Sequence, residues 1–436
     1  SEFSDAVLPS GTTLVVADPH EICNVAGLKA MDYMLKSAEN AVLNINFMFP
    51  SCVPATFFEH SGAVLEAKEI ETVIDNPHIL GLGEMMNYPG IVSASPSILE
   101  KLETCWKRGK VIDGHIPSIS GQGLDAYLST LIMTDHECET PEELVEKTGK
   151  GMYVLLRQGT VCKNVLQLLP GVNDNNWRRC LFCTDDRQPQ SILKEGHVVY
   201  GVNLAIQNGL DPYRAMACAS INAADCYHMW ERGAITPGRF ADFFFVDSIG
   251  DIKPIEVYVK GELVAKDGKI IKKSPHVEPE GVSGSVNIKD VSLSTFSLPL
   301  KSDRARIIEI LPGGVVTGKG EASVKRNERG EWVHDENEDI LKVTVIERHH
   351  GTGYHASALI RGYGMKHGAI ATTIAHDSHN IIVVGDNDND MLLAVKRLEE
   401  LGGGITAWKD GEELAFHKLE IAGLMTDETV EDVVKC

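Results

Sequence analysis

The 436-residue chain lacks the features that mark several classes of protein. It has no run of about 18 consecutive apolar residues, so no segment is predicted to span a membrane. It is short of basic residues, with 41 Lys and Arg against 62 Asp and Glu, and its net charge is −21 without a compensating basic patch. Such a surface repels nucleic acid and anionic membranes, so we expect neither as a partner and a small molecule as the ligand.

The chain also lacks a disulfide framework and a signal peptide. Its ten cysteines are scattered, which favours a reducing cytoplasmic location. The length and a hydrophobic content of 43% predict two or three domains, at about 150 residues each. The chain begins at Ser1 and enters an apolar run by residue 12, so we expect that an N-terminal segment is missing.

Seven short apolar runs alternate with longer amphipathic stretches, which is the pattern of parallel β/α units. The runs occupy residues 12–17, 41–49, 79–83, 110–114, 131–133, 152–156 and 181–183. Seven parallel strands are one short of a (β/α)8 barrel, in which the active site lies at the carboxyl ends of the strands. The sequence therefore predicts an α/β chain built on such a barrel, with its first strand missing.

Composition and pattern divide the chain into four predicted segments. Residues 1–232 would form barrel strands two to eight, and residues 233–273 a small β module. Residues 274–298 are polar and rich in Pro and Gly, which is typical of a linker or an extended segment. Residues 299–436 mix strand and helix patterns and would form a C-terminal α+β domain.

Four of the predicted strands are followed by residues that can bind a metal. These residues are Glu84, His115, His136 and Asp185. A mixed set of carboxylate and imidazole ligands suits Zn, Mn or Fe better than Ca or Mg. A metal of this kind lowers the pKa of bound water to about 7, and a bridging carboxylate can hold two such ions. On the residues alone, the chain is predicted to be a metal-dependent hydrolase.

Five segments closely resemble the bacterial-type adenine deaminases of the amidohydrolase superfamily. They are VVADPHEI at 15–22, GLGEMMN at 81–87, DGH at 113–115, TDHEC at 134–138 and TDDR at 184–187. Two further segments, AHDSHN at 375–380 and LGGG at 401–404, resemble the domain appended to that family. The resemblance covers nearly the whole chain, and its C-terminal part is specific to the subfamily.

The resemblance implies a role for each candidate ligand. Glu84 would bridge two metals, and His115 and His136 would ligate one of them. Asp185 would ligate the other metal and shuttle a proton from the attacking hydroxide towards the purine or the departing ammonia. Asp185, Glu84 and His136 are thus the expected catalytic residues.

Three residues after the first predicted strand form a second candidate group. Asp18, His20 and Glu21 lie together in the chain at a strand end. By the resemblance, we expect them to contact the substrate or to hydrogen-bond to the metal ligands.

The resemblance also implies the reaction and its setting. A metal-bound hydroxide would attack C6 of adenine and release hypoxanthine and ammonia, in purine salvage or adenine catabolism. The cofactor would be a binuclear divalent metal centre, with Mn or Fe favoured and Zn possible. The partner would be a purine base, and the protein would be a homo-oligomer.

The chain departs from the family pattern mainly at its start, and more mildly at His60, where the family would have threonine. Family members have a His-x-His pair at the end of the first strand, and this chain contains none, so the pair would lie just before Ser1. Without it, the second metal would keep only Glu84 and Asp185, and the activity of the truncated chain is open.

Two alternatives to the deaminase remain at this point. One is another amidohydrolase that acts on a different cyclic amide or amidine, and the other is a non-catalytic fragment if the first strand is truly absent. The Pro-Cys-x-x-Cys half of the cytidine-deaminase zinc motif does not occur, which excludes that fold. The pair His376 and His379 either lines a site or consists of surface imidazoles.

Overall fold

The first half of the chain forms parallel strands separated by helices. The computed structural model describes residues 1–311 and 316–435. Its parallel strands are β1 (Leu14–Ala17), β2 (Asn44–Phe49), β3 (Ile79–Met85), β4 (Val111–Gly114), β5 (Thr134–Asp135), β6 (Tyr153–Arg157) and β7 (Cys180–Cys183). Six of these overlap the predicted runs, whereas the run at 131–133 lies just before β5.

The seven parallel strands predicted for a (β/α)8 barrel without its first strand are present, but they do not close into a barrel. Strands β1 to β4 pair in order in one sheet, and β5 to β7 pair in a second. The two sheets separate between β4 and β5 because β5 is only two residues long. Beside it, the Gly114 amide donates to the Thr134 hydroxyl at 2.9 Å instead of to a strand carbonyl. The N-terminal half is therefore an arrangement of parallel strands in two sheets, followed by a β-rich C-terminal domain.

Thirteen helices accompany these strands in the described part of the N-terminal region. Several start with residues that favour helix ends; for example, Pro141 is the first residue of its helix and the Thr140 hydroxyl accepts from the Glu143 amide. The helices are α1 (Glu2–Val7), α2 (His20–Ala26), α3 (Leu28–Glu39), α4 (Ala67–Val73), α5 (Tyr88–Val92), α6 (Pro96–Trp106), α7 (Gly121–Leu128), α8 (Pro141–Gly149), α9 (Val165–Leu168), α10 (Pro189–Glu195), α11 (Val198–Gln207), α12 (Pro212–Cys218) and α13 (Ile221–Cys226).

A small antiparallel sheet follows the helices. It consists of β8 (Phe243–Phe245), β9 (Glu256–Val259), β10 (Glu262–Lys266) and β11 (Lys269–Ile270), paired in the order β11-β10-β9-β8. Buried Val257, Val259 and Val264 of this sheet pack against Val7 and Leu8 at the start of the chain.

The C-terminal region is dominated by one eight-stranded sheet. Its order is β13-β12-β17-β16-β19-β18-β20-β21, and only β12 and β17 pair in parallel. The strands are β12 (Arg304–Ile310), β13 (Thr317–Ser323), β14 (Lys325–Arg326), β15 (Trp332–Val333), β16 (Ile340–Ile346), β17 (His355–Arg361), β18 (Ala369–Thr372), β19 (Ile381–Gly385), β20 (Gly404–Lys409) and β21 (Glu412–Lys418), with β14 and β15 forming a separate hairpin.

Two helices complete the C-terminal region. Helix α14 (Asp388–Leu401) begins after Asn387, whose side chain accepts from the Asp390 amide, and ends at Gly402 with φ 77°, where a left-handed residue is required. Its apolar face packs on the sheet through buried Met391 and Leu398. Helix α15 (Val430–Lys435) is short and carries no buried residue among those described.

The two regions share a hydrophobic core. Ile421 and Ala422, which follow β21, are buried in the cluster that contains Met31 and Phe49 of the parallel-strand region. Val282, in the segment predicted as a linker, belongs to the same cluster. The predicted boundaries at 232, 273 and 298 stay predictions. Within the described residues, no helix has the length and apolarity needed to cross a membrane.

A buried histidine connects the first and last parallel strands. The His197 ring lies 3.1 Å from the hydroxyl of Thr12, before β1, and 3.1 Å from that of Thr184, after β7. Burial and the charge of the nearby Arg187 together lower the pKa of His197 to about 4. The ring is therefore neutral at physiological pH and stabilises the contact between these two strand ends.

This pKa predicts an acid-sensitive stability. In the unfolded chain, His197 has its ordinary pKa of 6.5, so on acidification the unfolded state takes up the proton first. The contribution of neutral His197 to the free energy of unfolding is present above pH 6.5 and is lost as the pH falls towards 4. About 2 kcal/mol of it is lost between pH 7 and pH 5. His197→Gln should lower the free energy of unfolding at pH 7 and remove this part of its pH dependence.

Urea unfolding of both proteins at pH 7 and pH 5 measures the effect. His355→Gln, at an exposed position of β17, is the matched control and should behave like the parent protein. An unchanged pH dependence in His197→Gln would contradict the assignment.

Candidate metal centre

A largely buried carboxylate and two imidazoles meet at the carboxyl ends of β3, β4 and β5. Glu84 lies near the end of β3, and its Oε2 is 2.9 Å from His115 Nδ1 and 3.0 Å from His136 Nε2. Because parallel strands end at the same edge, three residues far apart in sequence form one cluster. The structure thus brings together three of the four predicted ligands.

The electrostatics of the cluster favour a cation. Burial raises the pKa of Glu84, but hydrogen bonds from His115 and His136 outweigh burial and hold it well below its ordinary value. Burial lowers the pKa of His136, yet the bonded Glu84 carboxylate and the charge of Glu137 raise it to about 10. Without a metal, a proton on His136 therefore balances the buried carboxylate. A divalent metal would displace that proton, because imidazole binds metal in its neutral form.

Tyr127 fixes the spacing between two of these ligands. Its hydroxyl, on a fully buried side chain, donates to the Met85 carbonyl at 2.9 Å and accepts from the His115 amide at 3.1 Å. Met85 follows Glu84 directly in the chain. The Tyr127 hydroxyl thereby holds the backbone beside Glu84 at a set distance from that of His115.

A buried ion pair holds the other side of the cluster. Asp135 accepts from the Ile116 amide at 2.9 Å and from Lys147 Nζ at 2.9 Å, and Lys147 also donates to the Ile116 carbonyl at 2.8 Å. Both side chains are fully buried. Since Ile116 follows His115 and Asp135 precedes His136, this pair fixes the two histidine loops to each other.

Asp18 and His20 lie on the opposite side of Glu84. Asp18 Oδ2 accepts from the Glu84 amide at 2.9 Å, and this approach requires Gly83, because a Cβ there would overlap the Asp18 carboxylate. His20 Nδ1 is 3.6 Å from both Asp18 Oδ1 and Glu84 Oε1, and His20 Nε2 is 3.7 Å from Glu21. Asp18 and His20 thus lie beside Glu84, and Glu21 lies beside His20.

Asp185 is placed differently from the other predicted ligands. Its Oδ2 accepts from Arg157 Nη1 at 2.6 Å, and its side chain is 40% exposed. It can share an ion with His136 and Glu137, whose ligand atoms lie within 4.8 Å of each other and of Asp185. In the part of the chain that the structure describes, no three-ligand group contains both Glu84 and Asp185.

Glu137 and Arg157 belong to the centre and were not predicted. Glu137 Oε1 lies 3.3 Å from His136 Nε2, and both Glu137 oxygens accept from the Arg157 guanidinium. Two features of the sequence could have indicated these residues. Glu137 directly follows the predicted ligand His136, and Arg157 is the last residue of β6. Arg157 neutralises both Glu137 and Asp185, so the exposed side of the centre is not purely anionic.

The residues present fit a metal. Asp18 Oδ1 and His20 Nδ1 are buried without a hydrogen-bond partner, which is costly unless a ligand satisfies them. Two groups of possible ligands, Glu84 with His115 and His136, and Glu84 with Asp18 and His20, have the Glu84 carboxylate in common. A carboxylate between two sets of ligands is the arrangement that a bridge between two cations requires.

Comparison with known proteins identifies the family. The Amidohydrolase family matches residues 1–271, and the Adenine deaminase C-terminal domain matches residues 314–436. The chain is 45% identical over 434 residues to the adenine deaminase of Nitratidesulfovibrio vulgaris, which is 99% of this chain and 75% of that protein. This chain belongs to the adenine deaminase family of amidohydrolases. The resemblance found in the sequence is thereby confirmed.

Other members of the family match over the same extent. Adenine deaminase 2 of Desulfotalea psychrophila is 46% identical over 430 residues, covering 99% of this chain and 75% of that protein. The adenine deaminase of Clostridium acetobutylicum is 45% identical over 435 residues, covering 100% and 76%. Adenine deaminases of distinct bacteria therefore align with this chain from end to end.

Solved structures resemble the chain more distantly. The beta-aspartyl dipeptidase of Fervidobacterium islandicum AW-1 is 16% identical with a TM-score of 0.46, over 62% of this chain and 79% of that chain. A crystal structure of an adenine deaminase is 14% identical with a TM-score of 0.40, over 58% and 77%. At these scores neither structure supports a conclusion about the site.

The role of Tyr127 predicts a loss of metal affinity without a loss of ligands. Tyr127→Phe removes only the hydroxyl, so the Met85 carbonyl and the His115 amide lose their shared partner. We expect metal affinity to fall about tenfold, which is the usual effect of losing a group that orients metal ligands. The apo protein should lose about 1–3 kcal/mol of stability.

Competition with a chelator measures the affinity, and thermal unfolding reports the fold. Tyr213→Phe, at a position 72% exposed, is the control and should leave both unchanged. Equal metal affinity in Tyr127→Phe and the parent protein would disprove the orienting role.

Proposed function

We propose that the chain catalyses the metal-dependent hydrolysis of adenine to hypoxanthine and ammonia. The observation that carries the proposal is the Glu84 carboxylate, buried between the His115 and His136 imidazoles on one side and Asp18 and His20 on the other. Membership of the adenine deaminase family supports adenine as the substrate.

Glu84, His115 and His136 would hold one divalent metal, and Glu84 would bridge to a second. The metal supplies hydroxide at neutral pH by lowering the pKa of water. A set of one carboxylate and two imidazoles accepts Mn, Fe or Zn, and we favour Mn or Fe from the family resemblance. The purine base as partner and the homo-oligomer are proposed on the same ground.

The reaction requires one water and two proton movements at the substrate. The oxygen of water forms a bond to C6, the bond between C6 and the exocyclic nitrogen breaks, and the amine leaves as ammonia after taking up a proton. The product then carries a carbonyl oxygen at C6. Of the two protons of the water, one ends on a ring nitrogen and the other on the leaving amine. Asp185 would accept a proton from the attacking water and pass it to one of these two positions, because its carboxylate is exposed at the centre.

The Arg157 guanidinium would orient that carboxylate. Its Nη1 binds Asp185 Oδ2 while the same guanidinium binds Glu137, so Asp185 cannot rotate freely. A fixed general base within reach of the reacting atoms typically contributes a factor of about 10²–10⁴ to the rate.

Product analysis tests the proposal. The protein, expressed from its own gene and loaded with Mn²⁺, Fe²⁺ or Zn²⁺, is incubated with adenine, and hypoxanthine and ammonia are measured together. We expect equal amounts of both. Bound metal without hypoxanthine would overturn the choice of adenine and favour another cyclic amide or amidine as the substrate.

Glu84→Gln tests the bridging carboxylate. The substitution keeps the size of the side chain but removes its charge between two cations, so metal content should fall by half or more and turnover by at least a hundredfold. Elemental analysis and the ammonia assay measure the two effects. Glu71→Gln, at an exposed position of α4, is the matched control and should retain both. Unchanged metal content and rate in Glu84→Gln would contradict the bridge.

A further inference from the structure

A loop of the C-terminal domain reaches the metal centre. The loop, residues 374–380, connects β18 to β19 and carries His376 and Asp377. Possible ligand atoms of His376, Asp377 and His20 all lie within 4.8 Å of one another. His20 in turn is 3.6 Å from Glu84 Oε1, so the loop contacts the centre through His20.

The loop is held in shape by a buried arginine. The Arg348 side chain is fully buried, and its Nε donates to the His379 carbonyl at 2.5 Å. Its Nη2 donates to the Ala422 carbonyl at 2.9 Å, and its Nη1 to the Ser285 carbonyl at 3.0 Å. Within the loop, the Ala375 amide donates to His379 Nδ1 at 3.1 Å. The conformation of the loop is therefore fixed by hydrogen bonds on its inner side.

The loop is also attached to the parallel-strand region. Asn380 Nδ2 donates to the His60 carbonyl at 2.9 Å. His350 Nε2, in the loop after β16, lies 3.0 Å from the Ser61 carbonyl. Two polar contacts thus hold the C-terminal domain against residues 60–61, next to the centre.

His376 and Asp377 contrast with this fixed framework because they are accessible. Their side chains are 58% and 32% exposed, and the His376 ring contacts the buried His379 ring edge-on, with centroids 4.8 Å apart. Neither side chain makes a hydrogen bond to another residue within the described 1–311 and 316–435. The loop therefore presents an imidazole and a carboxylate, 4.0 Å apart and open to solvent, beside the candidate metal centre.

We propose that His376 and Asp377 bind the purine ring of the substrate. A purine base presents ring nitrogens that accept hydrogen bonds and a ring N–H that donates one, and an imidazole and a carboxylate are complementary to such an edge. The proposal rests on the proposed function and assigns part of its specificity to the C-terminal domain. An amidohydrolase without this loop would lack these two contacts.

Three variants test the contacts. His376→Ala and Asp377→Asn should each raise KM for adenine about tenfold or more with a smaller change in kcat, because the groups bind the ring and take no part in the proton transfer at C6. His376→Asn, which keeps a hydrogen-bonding side chain, should recover part of the loss. His355→Ala, at an exposed position in the same domain, should match the parent protein.

Two readouts besides activity accompany the kinetics. Metal content by elemental analysis should equal that of the parent protein in every variant. Equilibrium binding of adenine to the Zn²⁺-loaded protein should weaken about tenfold in His376→Ala and Asp377→Asn. If adenine turns over during the measurement, hypoxanthine is used in its place. Loss of metal comparable to that in Glu84→Gln would overturn the proposal, because the two residues would then be cation ligands.

The outcomes separate this inference from the proposed function. If the parent protein binds adenine without converting it, the proposed reaction fails while weakened binding in the variants still supports the contacts. If KM and purine binding are unchanged in His376→Ala and in Asp377→Asn, the contacts are disproved. The same conclusion follows if the parent protein binds no purine.

Discussion

The burial of the Glu84 carboxylate is the constraint on which the surrounding structure depends. A buried anion is costly, by several kcal/mol, unless positive groups and hydrogen bonds compensate it. His136 and His20, whose pKa values are raised, provide the positive charge, and His115 contributes a hydrogen bond. Each of the three is supplied by a different strand end. The Tyr127 hydroxyl and the pair of Asp135 with Lys147 hold those loops. The hydroxyl bonds to Met85 and His115, and Asp135 and Lys147 both bond to the backbone of Ile116, next to His115.

Much of this centre could be predicted because Glu84 and His115 directly follow apolar runs and His136 comes shortly after one. Glu84, His115 and His136 end strands that the sequence marks clearly, and parallel strands end at one edge. Glu137 could not be distinguished in the same way, because it follows His136 in a loop where side-chain direction has no fixed period. The contact of His376 with the centre depends on how two domains pack, which no local pattern encodes. The pairing of Asp185 with Arg157 instead of with Glu84 likewise depends on the packing of two loops.

The division of the parallel strands into two sheets could not be predicted from the hydrophobic pattern. The run at 131–133 is apolar, yet the strand lies at Thr134–Asp135 and is two residues long. There the Thr134 hydroxyl binds the Gly114 amide and also donates to Asp113 at 2.7 Å. The Met133 amide still donates to the Ile112 carbonyl at 3.3 Å, but at Gly114 a side chain takes the place of the main-chain acceptor, and hydrophobic periodicity does not report this exchange. The number of parallel strands can be predicted from the sequence, whereas closure of the sheet into a barrel cannot.

The buried guanidinium of Arg348 has a consequence for the dynamics of the protein. It joins three separate segments by their main-chain carbonyls, at Ser285, His379 and Ala422, and Ala422 is itself part of the core shared with the parallel strands. Releasing any one segment would leave a buried charge short of acceptors. We therefore expect the three segments to open together, so that their amide protons exchange with solvent as one cooperative unit rather than as independent loops.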